Sequence, residues 1–385
     1  MALRSCRAVF MRGGTSKALV FREADLPDAR GDRDALFLAA MGSPDPNGRQ
    51  LDGMGGGLSS LSKVCIVAPS RRADADVDFT FVQVWIDKAE VDYSGTCGNM
   101  SSAIGPFAVD EGLIAAPADG EASVRVFNTN TSKVFVARFP VQGGRSVTEG
   151  DLVVDGVAGS GAAIRLDFND PAGSKTGRLL PTGRPINNIE IPGIGRLAIS
   201  LVDASNPNAF IAAGDVGLTG IELPSVIERN GELLAKLELI RRHAAVTMGL
   251  APSLADAASM SIPRLGMLSV PVDQALLSGR VMKAAEADIV VRMMSSGQPH
   301  RASPLTSALC LAVACRVPGT IAHELTGTVD AVVPLRIGHP SGTIMVDADT
   351  RTQDGTTSVS RVTMYRTARR LFQGEVLYSP RDAVR

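Results

Sequence analysis

Aromatic side chains are scarce in this 385-residue chain: Phe, Tyr and Trp make up 4% of it, with a single Trp. So few rings leave no platform on which nucleic-acid bases could stack. Net charge is nearly absent too. Lys and Arg number 39 against 40 Asp and Glu, a balance of -1. Such a chain has no long-range attraction to a polyanion or an anionic membrane surface, so neither is expected as a partner. No run of 18 apolar residues occurs, and no membrane-spanning helix is expected.

Histidine is limited to His243, His300, His323 and His339, and neither a CxxC pair nor an HExxH motif is present. A zinc or other metal site is therefore not expected. The five cysteines are odd in number and scattered, apart from Cys310 and Cys315. That argues against a disulfide framework and for a reducing, cytoplasmic setting. The amino terminus lacks the apolar stretch of a signal peptide and runs straight into a strand-like segment.

What is present is an ordinary globular composition, 45% hydrophobic and 21% charged, in a chain long enough for two cores. Residues 8–11 and 18–21 read as strands around the turn Arg12-Gly13-Gly14-Thr15-Ser16-Lys17. Residues 34–41 read as a short helix. A glycine-dense loop, Gly53 to Gly57, then leads through Ser62-Lys63 into a strand at 64–67. Residues 79–85 alternate like a half-buried strand, and Thr96-Cys97-Gly98-Asn99 opens a small-residue helix over 100–111. Strands follow at 123–127 and 133–139. The Gly- and Pro-dense stretch 171–185 is the best linker candidate.

The second half begins again with strands, at 196–203 and 209–212, around the polar turn Ser205-Asn206-Pro207-Asn208. A long helix over 233–248 and a strand at 265–270 come next. Ser303-Pro304-Leu305-Thr306-Ser307 then opens a second apolar helix through 314, with Pro304 suited to its first turn. Each half thus runs strands, polar turn, helix, strands, polar turn and buried helix. The order suggests a duplicated α+β unit, divided as residues 1–183 and 184–385, with the last strand returning to the first domain.

Several residue groups could carry chemistry. Cys97 sits at a helix start between glycine-rich neighbours, where free amides and the macrodipole favour a thiolate or a bound carboxylate. A buried structural cysteine is the competing reading, at about even weight. Lys63 stands at the mouth of an apolar strand. A lysine that works as a base near neutral pH must have its ammonium form disfavoured by about 4 kcal/mol relative to water. On the residues alone a solvated surface lysine is the commoner outcome. The Arg12–Lys17 turn offers amides and hydroxyls for an anion but is no phosphate loop, since GxxxxGK[ST] is absent. In the second half, Thr306 and Ser307 at a helix start, Asn206 in its turn and Arg264 as a carboxylate fork form a second candidate set. Taken singly, each reads as an ordinary cap, turn or surface charge.

Motifs spread along almost the whole chain carry a resemblance. Met11-Arg12-Gly13-Gly14-Thr15-Ser16-Lys17, Gly42-Ser43-Pro44-Asp45, Asp52-Gly53-Met54-Gly55-Gly56, Ser62-Lys63 and Cys97-Gly98-Asn99 resemble the 2-methylaconitate isomerase (PrpF-type) family. So do Gly105-Pro106-Phe107-Ala108, Leu180-Pro181-Thr182-Gly183, Gly338-His339-Pro340-Ser341-Gly342 and Arg366-Thr367-Ala368-Arg369-Arg370. The resemblance implies a diaminopimelate epimerase-like α+β fold. In it, two pseudo-symmetric domains each wrap a sheet around a central helix, and the active site lies between them. It also implies chemistry without a cofactor. Lys63 matches the family's catalytic lysine and Cys97 its cysteine. Thr15, Ser16, Gly98 and Asn99 match its carboxylate-binding loops, as do Ser303, Thr306 and Ser307 in the second half, and Gly56, Met100, Asn206 and Arg264 are further substrate-binding candidates.

Epimerases of this fold use one cysteine per domain. Here the second helix opens with Ser303-Pro304-Leu305-Thr306, and Cys310 lies further in, which reads as core packing. A two-thiol racemase is therefore disfavoured. The expected activity is a 1,3-allylic proton shift in a small unsaturated di- or tricarboxylate, such as 4-oxalomesaconate or a methylitaconate- or aconitate-like acid. Cis–trans isomerisation of 2-methylaconitate, amino-acid epimerisation and non-catalytic carboxylate binding are the alternatives. The sequence leaves the oligomeric state open, a homodimer included.

Overall fold

A computed structural model describes residues 3–295, 297–327 and 333–379. The chain forms two compact units. One comprises Met1–Asp167 with Tyr365–Arg385, and the other Phe168–Met364.

In the first unit, Arg4–Gly13 pairs antiparallel with Ser16–Arg22 on one side and with Ala368–Tyr378, from the end of the chain, on the other. Ser16–Arg22 runs parallel to Lys63–Pro69, which pairs antiparallel with Val77–Val84. Val77–Val84 runs parallel to Gly120–Asn128, and that strand forms a hairpin with Lys133–Gln142. The alternation of the last strand is visible in its burial: Phe135, Ala137, Phe139 and Val141 point inward while their neighbours are more exposed.

The helix Gly98–Asp110 packs against this sheet with nearly every side chain buried. Its small residues permit that. A Cβ on Gly105 would lie 2.9 Å from the Ala137 Cβ and 2.7 Å from the Phe139 ring, so a larger residue would push helix and sheet apart. A second helix, Arg30–Met41, covers a core of Phe21, Phe37, Met41, Val64 and Val82.

The second unit repeats the pairing pattern. Gly195–Ala204 is antiparallel to Asn206–Ala212, which is parallel to Arg264–Ser269. Arg264–Ser269 is antiparallel to Ile289–Ser295, which is parallel to Leu335–His339. Leu335–His339 then forms a hairpin with Gly342–Gln353. The buried helix Leu305–Arg316 falls between Ile289–Ser295 and Leu335–His339 in the chain, as Gly98–Asp110 falls between Val77–Val84 and Gly120–Asn128. Pro304 is its N-cap, one residue before the first helical position. Gly231–Thr247 lays Leu233, Leu237 and Ile240 on Ile199, Leu201 and Met267. Each unit thus has a sheet wrapped on a small-residue helix, the diaminopimelate epimerase-like arrangement, and the duplicated order read from the sequence is present as matched strand pairings. Among the described residues no helix is long and apolar enough to cross a membrane.

The stretch 171–185 is not a free linker, and residues 168–183 belong to the second unit rather than the first. The reason is Asp203, which is fully buried. Its carboxylate accepts from the Ser174 hydroxyl at 2.5 Å, the Thr176 hydroxyl at 2.9 Å and the amides of Lys175 and Thr176 at 2.8 and 2.7 Å. A Gly/Pro-rich composition signals irregular backbone, but here one buried carboxylate supplies that backbone with acceptors. Asp203→Ala removes all four of these hydrogen bonds at once, and the second unit should lose about 3 kcal/mol of stability. Urea denaturation measures this, and a change within about 0.5 kcal/mol would mean the loop is held by packing alone.

Candidate active site

In the first unit the two leading candidates stand on neighbouring elements. Lys63 is the first residue of Lys63–Pro69 and is buried at 7% exposure. The surface-lysine reading is thereby excluded. Its Nζ donates to Gln83 Oε1 at 2.7 Å and lies 4.9 Å from the centre of the Phe81 ring. Gln83 is its cross-strand partner. Gln83 Nε2 donates to the carbonyls of Ser59 and Ser62 at 3.1 and 2.9 Å, which turns the amide oxygen toward the lysine. No carboxylate pairs with Lys63 among the described residues.

Cys97 is the N-cap of the Gly98–Asp110 helix and the half-buried one of the five cysteines; the other four are buried. Its thiol donates to the Ser16 hydroxyl at 3.8 Å, and its carbonyl accepts from the amide and hydroxyl of Ser101. Cys65, two residues beyond Lys63, is fully enclosed. Burial pushes its thiol well up, with Cys97 adding to the shift and Lys63 opposing it.

The turn at Gly13-Gly14-Thr15-Ser16 touches the helix start. Asn99 Nδ2 donates to Thr15 Oγ1 at 3.1 Å, while Asn99 Oδ1 accepts from Arg366 Nε at 3.2 Å. Ser16 is buried, Thr15 exposed, and Gly98 and Asn99 half-buried. The Met100 side chain lies in the core, so only its backbone can meet a ligand. Gly56 is exposed, beside Leu61.

Four further residues, none of them a site candidate in the sequence reading, contribute here. Gln50 is buried at the heart of the glycine-dense loop. Its amide donates to Ser43 and Ser62 hydroxyls at 2.8 and 2.7 Å and accepts from the Gly57 amide, which ties the loop to the residue before Lys63. Asp45 accepts the amides of Asn47, Arg49 and Gln50, and these hold its carboxyl below the usual range. Asn130 spans Phe81 and Tyr93, accepting the Phe81 amide and donating to both carbonyls. Asn128 donates to the Thr96 hydroxyl at 2.6 Å, next to Cys97. Asn128 and Asn130 stand in the Asn128-Thr129-Asn130-Thr131 run, but nothing in that run reveals that it closes on another strand.

The second unit places its candidates in the same relative positions. In the first unit Leu19 faces Val64, and in the second Ala209 faces Leu265. In both, the fourth residue of one strand faces the second of the next. Asn206 therefore stands where Ser16 stands, and Arg264 where Lys63 stands. Arg264 Nη1 donates to Thr306 Oγ1 at 3.2 Å and Ser307 Oγ at 3.4 Å at the helix start, and burial lowers its pKa. Ser303 Oγ and Asn208 Oδ1 are buried without a protein partner among the described residues. Cys310 is buried inside the helix, donating to the Val202 carbonyl, and burial raises its thiol to about 12. It is core, as its position in the helix suggested. No group of three or more His, Cys, Asp and Glu side chains among the described residues is placed to hold a metal.

Gly13 and Gly14 allow the first-unit turn to reach the helix. A Cβ on Gly13 would lie 2.7 Å from the Asn99 carbonyl oxygen, and Gly14 takes φ +49°. Gly13→Ala must therefore part the turn from the helix start, at about 1–3 kcal/mol. Scanning calorimetry of the variant should show the loss; an unchanged transition would mean the turn moves away freely.

Residues 4–379 match the PrpF protein family. A 2-methyl-aconitate isomerase of Shewanella oneidensis is 40% identical over 380 residues, covering 96% of each chain. A 3-methylitaconate isomerase of Eubacterium barkeri is likewise 40% identical over 374 residues, with 96% of each chain covered. A (4E)-oxalomesaconate Delta-isomerase of a Novosphingobium strain is 38% identical over 378 residues, 97% of each chain. Among solved structures, that of a methylitaconate-delta-isomerase superposes with a TM-score of 0.88 at 37% identity, covering 100% of this chain and 98% of the other. A family match over residues 4–379, with relatives up to 40% identical along the full length, places the chain in the PrpF family.

Proposed function

We propose that this chain is an isomerase that moves a proton on a small unsaturated di- or tricarboxylate, without a cofactor. The observation that carries the reading is the setting of Lys63: buried, among an amide oxygen and an aromatic face, with no carboxylate partner among the described residues, and next to the strand and helix that carry Ser16 and Cys97. A lysine so enclosed can serve as a base, where a lysine paired with an acid would be held as its salt.

Lys63, as the free amine, takes a proton from the carbon next to the double bond. The C–H electron pair moves into the conjugated system and forms a dienolate on the substrate's carboxylate. Amides at the Gly98–Asn99 helix start and the hydroxyls of Thr15 and Ser16 are the groups available to hold that charge. The proton returns at the far allylic carbon, directly from the Lys63 ammonium or through the Cys97 thiol, which then recovers it from Lys63. The net change is one double bond shifted and no redox step. In the second unit Asn206, Arg264, Ser303, Thr306 and Ser307 are the carboxylate-binding candidates. Arg264 keeps its charge throughout, so it binds and does not transfer protons.

A second reading has a specific support: relatives at the same identity are named 2-methyl-aconitate isomerases. Cis–trans exchange could begin with the same deprotonation and end with the proton returned to its original carbon after rotation. Turnover in D₂O separates the two, because NMR shows whether deuterium enters at the far carbon with a shifted double bond or at the original one. Lys63→Met should lower the rate by roughly 10²–10⁴-fold and abolish wash-in. Normal turnover in that variant would remove Lys63 as the base. Cys97→Ser tests the relay: full activity would leave the thiol a binding role only.

A further inference from the structure

Arg366 is prominent in the first unit for what it does not pair with. Three arginines there meet acids at close range: Arg370 with Glu111 at 2.8 Å, Arg125 with Asp76 at 2.7 Å and Arg138 with Asp167 at 3.3 Å. Arg12 spreads its charge over the Gly14 and Thr367 carbonyls and the Thr367 hydroxyl. Arg366, half-buried, gives its Nε to the Asn99 amide oxygen and one Nη1 proton to the Tyr365 carbonyl at 2.9 Å. Its Nη2 has no protein partner among the described residues, and neither does it have a carboxylate. Burial brings its pKa down to about 10, slightly opposed by Cys97, so it is still a cation at neutral pH. A poorly solvated cation without a counter-ion is costly unless an anion completes it.

The surroundings say where such an anion would sit. Asn99 is the second residue of the Cys97-capped helix, and its side chain is held between Arg366 and Thr15. Gly14 lets the turn close onto this pair: a Cβ there would lie 3.1 Å from Arg366 Cδ and closer still to Asn99 Oδ1. One edge of the guanidinium, with both Nη2 protons and the second of Nη1, makes no hydrogen bond to the protein among the described residues. That is the edge a carboxylate grips with two parallel hydrogen bonds.

We propose that Arg366 is a further substrate-binding residue, taking one carboxylate of the substrate end-on while Asn99 fixes the plane of its guanidinium. The inference rests on the reading that the substrate is a small polycarboxylate. It gives Asn99 a double task, toward Arg366 through its oxygen and toward Thr15 through its nitrogen.

The probe is tricarballylate (propane-1,2,3-tricarboxylate), which cannot isomerise, with binding followed by titration calorimetry. Arg366→Gln should weaken binding by roughly 30-fold or more, with Arg366→Lys between it and the parent chain. Near-UV circular dichroism should be unchanged in both. Equal binding in folded Arg366→Gln would overturn this inference alone, and failure of the parent chain to bind would overturn the polycarboxylate reading with it. If the variants do not fold, phenylglyoxal labelling of the parent chain decides the matter. Tricarballylate should protect Arg366, and equal labelling with and without it refutes the assignment. A folded Arg366→Gln that binds normally but alkylates more slowly at Cys97 would assign the cation to the sulfur instead.

Discussion

The first-unit site depends on one close approach, that of the Gly13–Gly14 turn to the start of the Gly98–Asp110 helix. Asn99 takes part through its backbone and both ends of its amide. Because the turn has no side chain in the way, Thr15 and Ser16 reach the helix start, and Ser16 comes within reach of the Cys97 thiol. The same turn accepts the end of the chain, since Gly14 donates to the Thr367 carbonyl at 2.9 Å and Arg12 binds Thr367 as well. Arg366 is thereby carried to a corner built from residues far earlier in the sequence. The amides at the helix start and the Arg366 guanidinium beside it are both donors, so together they favour an anion at this corner.

The repeated frame carries different side chains at equivalent positions. Lys63 and Arg264 begin equivalent strands in the same register, and each is poorly solvated. An amine can give up its proton and take it back, while a guanidinium in a protein stays charged. One unit therefore carries a group suited to proton transfer and the other a group suited to holding an anion. The helix starts differ in the same sense. Cys97 caps one, and Pro304, with no side-chain donor or acceptor, caps the other, while Cys310 is sealed into the core. An epimerase with a thiol on each face has no second thiol available here.

Much of this was legible in the chain itself. The strand and helix order, the repeated halves and the cysteine at a helix start follow from periodicity and glycine placement, because those signals are local. The burial of Lys63 was not legible from the residues around it. It depends on which residue of the next strand stands opposite, and register is fixed by pairings whose partners are remote in sequence. Gln83 and Phe81 look like ordinary members of an alternating strand until Lys63 is placed between them. The 171–185 stretch misled for a related reason. Glycine and proline report that a backbone is irregular, but Asp203, later in the chain, decides that the irregular backbone is tied down. Gln50 was hidden in the same way, as a polar residue whose partners Ser43, Ser62 and Gly57 converge only in the folded loop.

The choice of glutamine opposite the lysine has a further physical consequence. An aspartate or glutamate at that position would pair with the ammonium and stabilise the form that cannot act as a base. A glutamine oxygen accepts a hydrogen bond from an amine or an ammonium alike, so it orients Nζ without adding a counter-charge. Its orientation is not free either, since the two carbonyls that take its Nε2 protons leave only the oxygen to face Lys63. Those carbonyls belong to Ser59 and Ser62, in the segment that Gln50 ties down. The glycine-dense loop therefore acts at a distance of several bonds on Lys63: Gln50 holds Ser62, Ser62 and Ser59 hold Gln83, and Gln83 orients the lysine. A loop that looks like flexible punctuation in the sequence is in this sense the support on which Lys63 is mounted.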